Sequence, residues 1–176
     1  PVVTFVSDLP DSGRDHFAGI DNRAAGRTAG VLMGRFLGPA GGAVMVVGDT
    51  ILSRDTVERR WGFDFALQRE FPQVEVLPTL ETHGRSHTMA AVVSATLDAR
   101  PDVRGVYLMA SGQRALTAVL QDRGLCDRLV YLAHELTPLA RTALQAGVID
   151  AIITQNPGHL IRSALRVLRA KADRMP

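Results

Sequence analysis

From residue 43 to residue 171 the chain alternates short apolar runs with stretches of helical period, each joined to the next by a tight polar connection. A strand that is apolar on both faces must be covered on both, and each helix has one apolar side to offer. The alternation therefore predicts an α/β fold, a mostly parallel sheet with helices on both faces. Residues 42–71 carry the pattern most plainly. Ala43 to Val47 reads as a buried strand ending at Gly48 and Asp49, and after a polar loop Val57, Trp61, Phe65, Leu67 and Phe71 recur along one side of a helix. In such a βα unit the carboxyl end of the strand and the amino end of the helix face a common crevice, where polar ligands bind in open α/β sheets. Asp49, Thr50, Ser53, Arg54, Asp55, Glu58 and Arg59 fall there.

Further strands are expected at 74–77, 103–109, 129–133 and 150–154, with helices at 86–100, 113–123, 137–146 and 159–171. Ahead of the central unit, PVVTFV reads as a strand and SDLPDSGRDH as a loop. A domain that opens directly on a buried-looking strand is expected to be cut from something longer. In the helix that follows, Asp21 or Asn22 can cap the start, and Ala25, Ala29, Leu32, Met33 and Phe36 form the apolar face. Gly26, Gly30 and Gly34 recur every fourth residue, which predicts close packing of this helix on the sheet.

Composition narrows the function classes. Twenty basic against eighteen acidic side chains give a net charge of +2, too slight to require a nucleic-acid surface. No apolar stretch approaches the roughly 18 residues of a membrane span, so no membrane partner is expected. The opening residues lack the basic segment, apolar run and cleavage site of a secretory signal. With Cys126 the single cysteine, no intrachain disulfide can form. Cytoplasmic residence is the expectation that follows.

Enzyme signatures are lacking: the sequence has no GxSxG, HExxH, phosphate loop or GxGxxG after a strand. His83 and His87 lie four apart without a carboxylate that completes a metal triad, and Cys126 has no positioned base. A non-enzyme without cofactor or metal is expected.

Candidate ligand residues lie at strand-to-helix transitions, which share an edge in a parallel sheet. Arg59 leads. Its guanidinium either donates a planar fork to a hydroxylated or carboxylated ligand or forms a surface pair with Asp55. Glu135, after LVYLAH, either accepts from ligand hydroxyls or caps the next helix. His134 beside it is a donor or acceptor in the site, or a satisfied buried histidine. Gln155, at the turn before Pro157, suits a polar ligand or a crossover between lobes. Ser7, Asp8 and Ser111 complete the main set. Phe5, Asp49 and Trp61 are secondary, with Trp61 placed by its spacing in the core or, as an aromatic, against a ligand.

The segments PVVTFVSDLP, GIDNRAAGRTAG, Arg59-x-x-Gly62-Phe63, AHELTPLARTALQAGVIDAIITQNP and GHLIRSALRVL, in this order and spacing, resemble the effector-binding core of LacI-type transcriptional regulators. The resemblance extends to the related sugar-binding periplasmic proteins. It implies a type I periplasmic-binding-protein-like fold of two Rossmann-like lobes, here with a partial first lobe. Residues 1–29 would be its end and the crossover, 30–154 the second lobe, and 155–176 the crossover and helix returning to the first. By the same resemblance Arg59 matches the effector-contacting arginine. Glu135 stands where the family commonly has aspartate, Gln155 where a site glutamine often lies, and Ser7 and Asp8 fall near the first lobe's Asp-Arg. Ser111 lies where the family often has Asn-Asp, a departure that leaves the specificity open.

The implied function is a ligand-controlled regulator. It would bind a sugar-like or polyol effector between its lobes, form a homodimer, and reach DNA through an N-terminal helix-turn-helix domain beyond this sequence. The alternatives are a sugar-binding protein of an uptake system and an enzyme on a Rossmann-like scaffold.

Overall fold

The computed structural model describes residues 1–9 and 11–173; Pro10, from the expected loop, and 174–176, from the expected closing segment, lie outside them. A small parallel pair comes first, β1 (Val3–Phe5) and β2 (His16–Ala18). The main body then runs α1 (Asn22–Leu37), β3 (Gly42–Gly48), α2 (Arg54–Glu70), β4 (Val74–Glu81), α3 (Ser86–Ala99), β5 (Val103–Leu108), α4 (Gln113–Asp122), β6 (Val130–His134), α5 (Pro138–Gln145) and β7 (Ala151–Ile153). α6 (Pro157–Ala172) returns to pack on β1 and β2. The five strands β4-β3-β5-β6-β7 form one wholly parallel sheet. Among the described residues no helix is long and apolar enough to cross a membrane.

Period-two alternation divides the core. Ala43, Met45 and Val47 point to one face with Val106, Leu108, Tyr131 and Ala133, where Met89 and Val93 of α3 and Leu116 and Leu120 of α4 cover them. Val44, Val46, Tyr107 and Leu132 point to the other, under Ala29 and Met33 of α1 and Phe63 and Leu67 of α2. Both faces are dry. This is why β3 reads as a continuous apolar run.

The glycines at four-residue spacing serve a different contact from the one expected. A Cβ on Gly26 would lie 2.0 Å from the Arg59 carbonyl oxygen, one on Gly30 2.8 Å from that of Phe63, and one on Gly62 2.1 Å from that of Arg23. Gly26, Gly30 and Gly62 bring α1 against α2, backbone to backbone, and not against the sheet, while a Cβ on Gly34 would meet the Phe71 ring. α1 is continuous from Asn22 to Leu37.

The α2 face is also corrected. Thr56, Arg59, Gly62, Phe63, Ala66 and Leu67 are buried, while Val57, Trp61 and Phe65 are 51%, 48% and 42% exposed. The glycine contact rotates α2 so that the stripe of large apolar side chains faces outward. Two smaller differences concern strands. β2 begins at His16, the last residue of the expected loop, and pairs with β1 through only three residues. β4 runs past Leu77 to Glu81, because on an edge strand Pro78 costs no central ladder bond and a register shift between Val44 and Val46 accommodates it.

Candidate ligand-binding site

Arg59, His134, Glu135 and Gln155 meet at the carboxyl edge of the sheet, although β6 and β7 are remote from α2 in sequence. Arg59, on the second turn of α2, is buried, and its Nε donates to Asn22 Oδ1 at 2.8 Å. Asn22 Nδ2 in turn donates to Asp55 Oδ1 at 3.2 Å. The expected Arg59–Asp55 pair is thus replaced by an amide bridge that fixes the guanidinium and leaves its outer nitrogens free. Its terminal nitrogen lies 4.0 Å from Glu135 Oε1. That is too long for a direct hydrogen bond, so a hydroxyl can bond to both groups.

Glu135 closes β6 in the left-handed region, at φ +67°. Its Oε1 accepts from Gln155 Nε2 at 2.8 Å, with Gln155 buried just beyond β7. His134 Nε2 bonds to the Tyr107 hydroxyl at 2.7 Å. Burial, and then the positive charge of Arg59, push the His134 pKa down to about 3, so the imidazole is neutral at physiological pH. Burial also raises the Tyr107 phenol, with Arg59 acting in the opposite direction. Gln113 Nε2, His134 Nδ1 and Gln155 Oε1 are buried without a hydrogen-bond partner among the described residues. Unpaired buried polar atoms are costly, and these three lie at this edge, while the Thr117 and Tyr131 hydroxyls are likewise unpaired away from it. A cavity of about 480 Å³ opens here, lined by Arg59, Ser111, Gln113, Arg114, His134 and Glu135 among others.

Because His134 titrates well below its usual value when folded, its neutral form adds stability that is complete above about pH 6.5 and is lost as pH falls toward 3. Urea unfolding of the wild type and His134→Phe at stepped pH values should show a shallower acid loss in the variant. Equal slopes would contradict the burial of a neutral imidazole.

Other candidates have structural duties. Asp49 Oδ1 accepts from Thr82 Oγ1 at 2.9 Å, Gly84 N at 3.1 Å and Ser111 Oγ at 3.1 Å, while its Oδ2 accepts from Ser111 N at 2.9 Å. Burial pushes the Asp49 carboxyl up, but these donors outweigh it and hold it below its usual value. Asp49 therefore clamps the loops after β3, β4 and β5, and Ser111 borders the cavity with its hydroxyl proton already given away.

Asp8 is buried and accepts from Arg14, from Thr4 Oγ1 at 2.8 Å and from Arg54 at 2.5 Å. Arg14 above all holds its carboxyl well below the usual range, so Asp8 ties the small sheet to α2. Ser7 and Phe5 are exposed, and neither lines the cavity. Trp61, in neither the core nor the cavity, stacks on Phe65 on the outer side of α2.

Sequence reasoning missed Asn22, Tyr107, Gln113 and Arg14 as members of these networks. Tyr107 had a signal, a lone hydroxyl in an apolar strand. Asn22 was masked by Asp21, which takes the capping role by accepting from Ala24 N at 2.9 Å.

A larger depression of about 850 Å³ lies at the opposite, amino edge, beside Gly42, Val103 and Leu129. There Arg100 is paired with Glu75 and Asp102, and Arg123 with Asp98. Open α/β sheets bind ligands at the carboxyl edge, which favours the smaller cavity.

The family model of the periplasmic binding protein domain matches residues 1–174. No curated protein matches. Among solved structures, the glucose-galactose binding protein GanP from Geobacillus stearothermophilus is 22% identical with a TM-score of 0.91, covering 100% of this chain and 62% of that one. An ABC transporter solute binding protein from Burkholderia graminis, in complex with D-arabinose, is 29% identical with a TM-score of 0.88, covering 97% and 60%. The sugar-binding protein of a sugar ABC transporter from Bacillus halodurans is 24% identical with a TM-score of 0.87, covering 97% and 58%. The chain thus spans about 60% of the length of these proteins.

The expectation of a cytoplasmic, DNA-binding regulator of the LacI family is overturned here. The family that matches is a periplasmic one, and the similar structures are sugar-binding and transporter solute-binding proteins. On its fold and on a match that covers almost every residue, the chain belongs to the periplasmic binding protein domain family.

Proposed function

We propose that the protein binds a neutral monosaccharide or polyol as the solute-binding component of a sugar uptake system. The observation that carries this reading is the facing of Arg59 and Glu135 across 4.0 Å at the carboxyl edge, one braced by Asn22 and the other by Gln155. Arg114 also lines the cavity, while the Arg59 cation and the Glu135 anion offset each other. Together they supply both donors and acceptors, which is what adjacent hydroxyls require. The D-arabinose complex of the 29%-identical Burkholderia graminis protein supports the same ligand class.

The reading is binding without turnover. Glu135 is tied to Gln155 and His134 to Tyr107, so both act as fixed hydrogen-bonding groups and not as mobile proton carriers.

Thermal-shift screening of the intact protein against pentoses, hexoses, polyols, sugar phosphates and amino acids tests the class. A ligand at about 100 times its Kd adds about 2.7 kcal/mol of stability, enough to raise Tm measurably. A rise confined to neutral sugars or polyols is the expected result. A rise with only phosphorylated sugars or amino acids would overturn the assignment.

A further inference from the structure

The outer face of the α1–α2 pair has no part in the ligand site. Val57, Trp61 and Phe65 recur every fourth residue along α2 and are about half exposed, with the Trp61 and Phe65 rings stacked at 5.4 Å. Beside them a groove of about 440 Å³ runs between the helices, lined by Arg27, Thr28, Val31, Leu32, Phe65 and Glu70 among others. α2 therefore has two apolar sides. One packs on α1 and the sheet, and the other is uncovered among the described residues.

The charges around this stripe are mostly positive, although Glu70 also lines the groove. α1 carries Arg23, Arg27 and Arg35 and no acidic residue. The Arg23 guanidinium lies 4.9 Å from the Trp61 ring centre, and that of Arg69 lies 6.0 Å from the Phe65 ring. Elsewhere Arg14, Arg54, Arg60, Arg100 and Arg123 are each paired with a carboxylate, while Arg104, Arg114 and Arg128 are in no such pair among the described residues. Among the described residues Arg23, Arg27, Arg35 and Arg69 are in no such pair. An apolar stripe bordered by uncompensated guanidinium groups complements a surface that is apolar along its centre and acidic at its margins.

We propose that this face docks an acidic, amphipathic helical segment of a partner protein. The stripe from Val57 to Phe65 is about 12 Å long at 1.5 Å per residue, which matches apolar anchors spaced i, i+4 and i+7 on a helix laid in the groove. A two-fold contact with a second copy would set Arg23, Arg27 and Arg69 against their own images, so like charges oppose that occupant. A bilayer surface fits less well, because the two rings lie stacked with guanidinium groups over them and do not project as a wedge.

Trp61 is the only tryptophan in the sequence, so its emission reports on this face directly. The probes are a synthetic amphipathic helix with a leucine stripe flanked by glutamates, the same helix with lysines in their place, and phosphatidylglycerol vesicles. The glutamate helix should give a saturable blue shift that weakens with added salt. It should also bind about tenfold more weakly to the double variant Arg23→Gln/Arg27→Gln. Both residues are exposed and outside the ligand cavity, so unchanged far-ultraviolet circular dichroism confirms that the variant is folded. Equal binding of the lysine helix, a response to vesicles alone, or no response to the glutamate helix would overturn the proposal.

Discussion

Replacing Arg59 with methionine is expected to lower sugar affinity by about 100-fold or more while leaving the fold intact. Methionine keeps an apolar stem of similar reach on the buried side of α2, where Phe63 and Leu67 already pack. It removes the donors that face Glu135 and leaves that carboxylate, 42% exposed, without its cation. Lysine should not restore binding. The Nε bond to Asn22 and the outward fork come from one planar group, which an ammonium cannot reproduce. Isothermal titration of the wild type, Arg59→Met and Arg59→Lys with the sugar selected by screening reads this directly. Near-wild-type affinity in either variant would remove Arg59 from the site.

The second large effect concerns stability. A Cβ at Gly26 would sit 2.0 Å from the Arg59 carbonyl oxygen, and that oxygen belongs to a helix backbone, so relief requires α1 and α2 to separate. Gly26→Val should cost about 3 kcal/mol or more, through overpacking and the loss of buried contacts around Ala29, Met33 and Phe63. Gly124 is the control. Its φ is +63° with nothing within 4 Å, so Gly124→Ala pays only the left-handed backbone cost of about 1 kcal/mol. Urea midpoints at matched m-values separate the two cases. Equal losses would mean that the helix contact is not as close as described. Arg59 follows Gly26 across this contact, so a surviving Gly26→Val protein should also bind sugar more weakly.

Much of the architecture was legible because it rests on two patterns. Short apolar runs of strand length and helical spacing between them locate the strands of the main sheet and all six helices, with ends differing by a few residues. What escaped was contact between elements. Val57, Trp61 and Phe65 have the spacing of a core stripe, but nothing in a single helix says that glycines on its neighbour will claim the adjacent face. The same glycines carry no mark of which partner they approach.

At the site, Arg59, Glu135, Gln155 and His134 could be named because strand-end transitions share an edge. Their braces could not, since Asn22 and Tyr107 act through contacts 37 and 27 residues away in sequence. Asp8 and Asp49 show the converse. A carboxylate at a strand end is equally placed to meet a ligand or to hold loops, and only its neighbours decide. For Asp8 they are Arg14 and Arg54, and for Asp49 they are Thr82, Gly84 and Ser111.

The most direct test of a sugar site at the carboxyl edge is a crystal structure of the intact protein with the sugar that gives the largest thermal shift. The ring should lie in the cavity beside His134, with adjacent hydroxyls within hydrogen-bond distance of both Arg59 and Glu135. A sugar seated in the arginine-rimmed depression near Arg104 and Arg128, or one touching neither Arg59 nor Glu135, would contradict it.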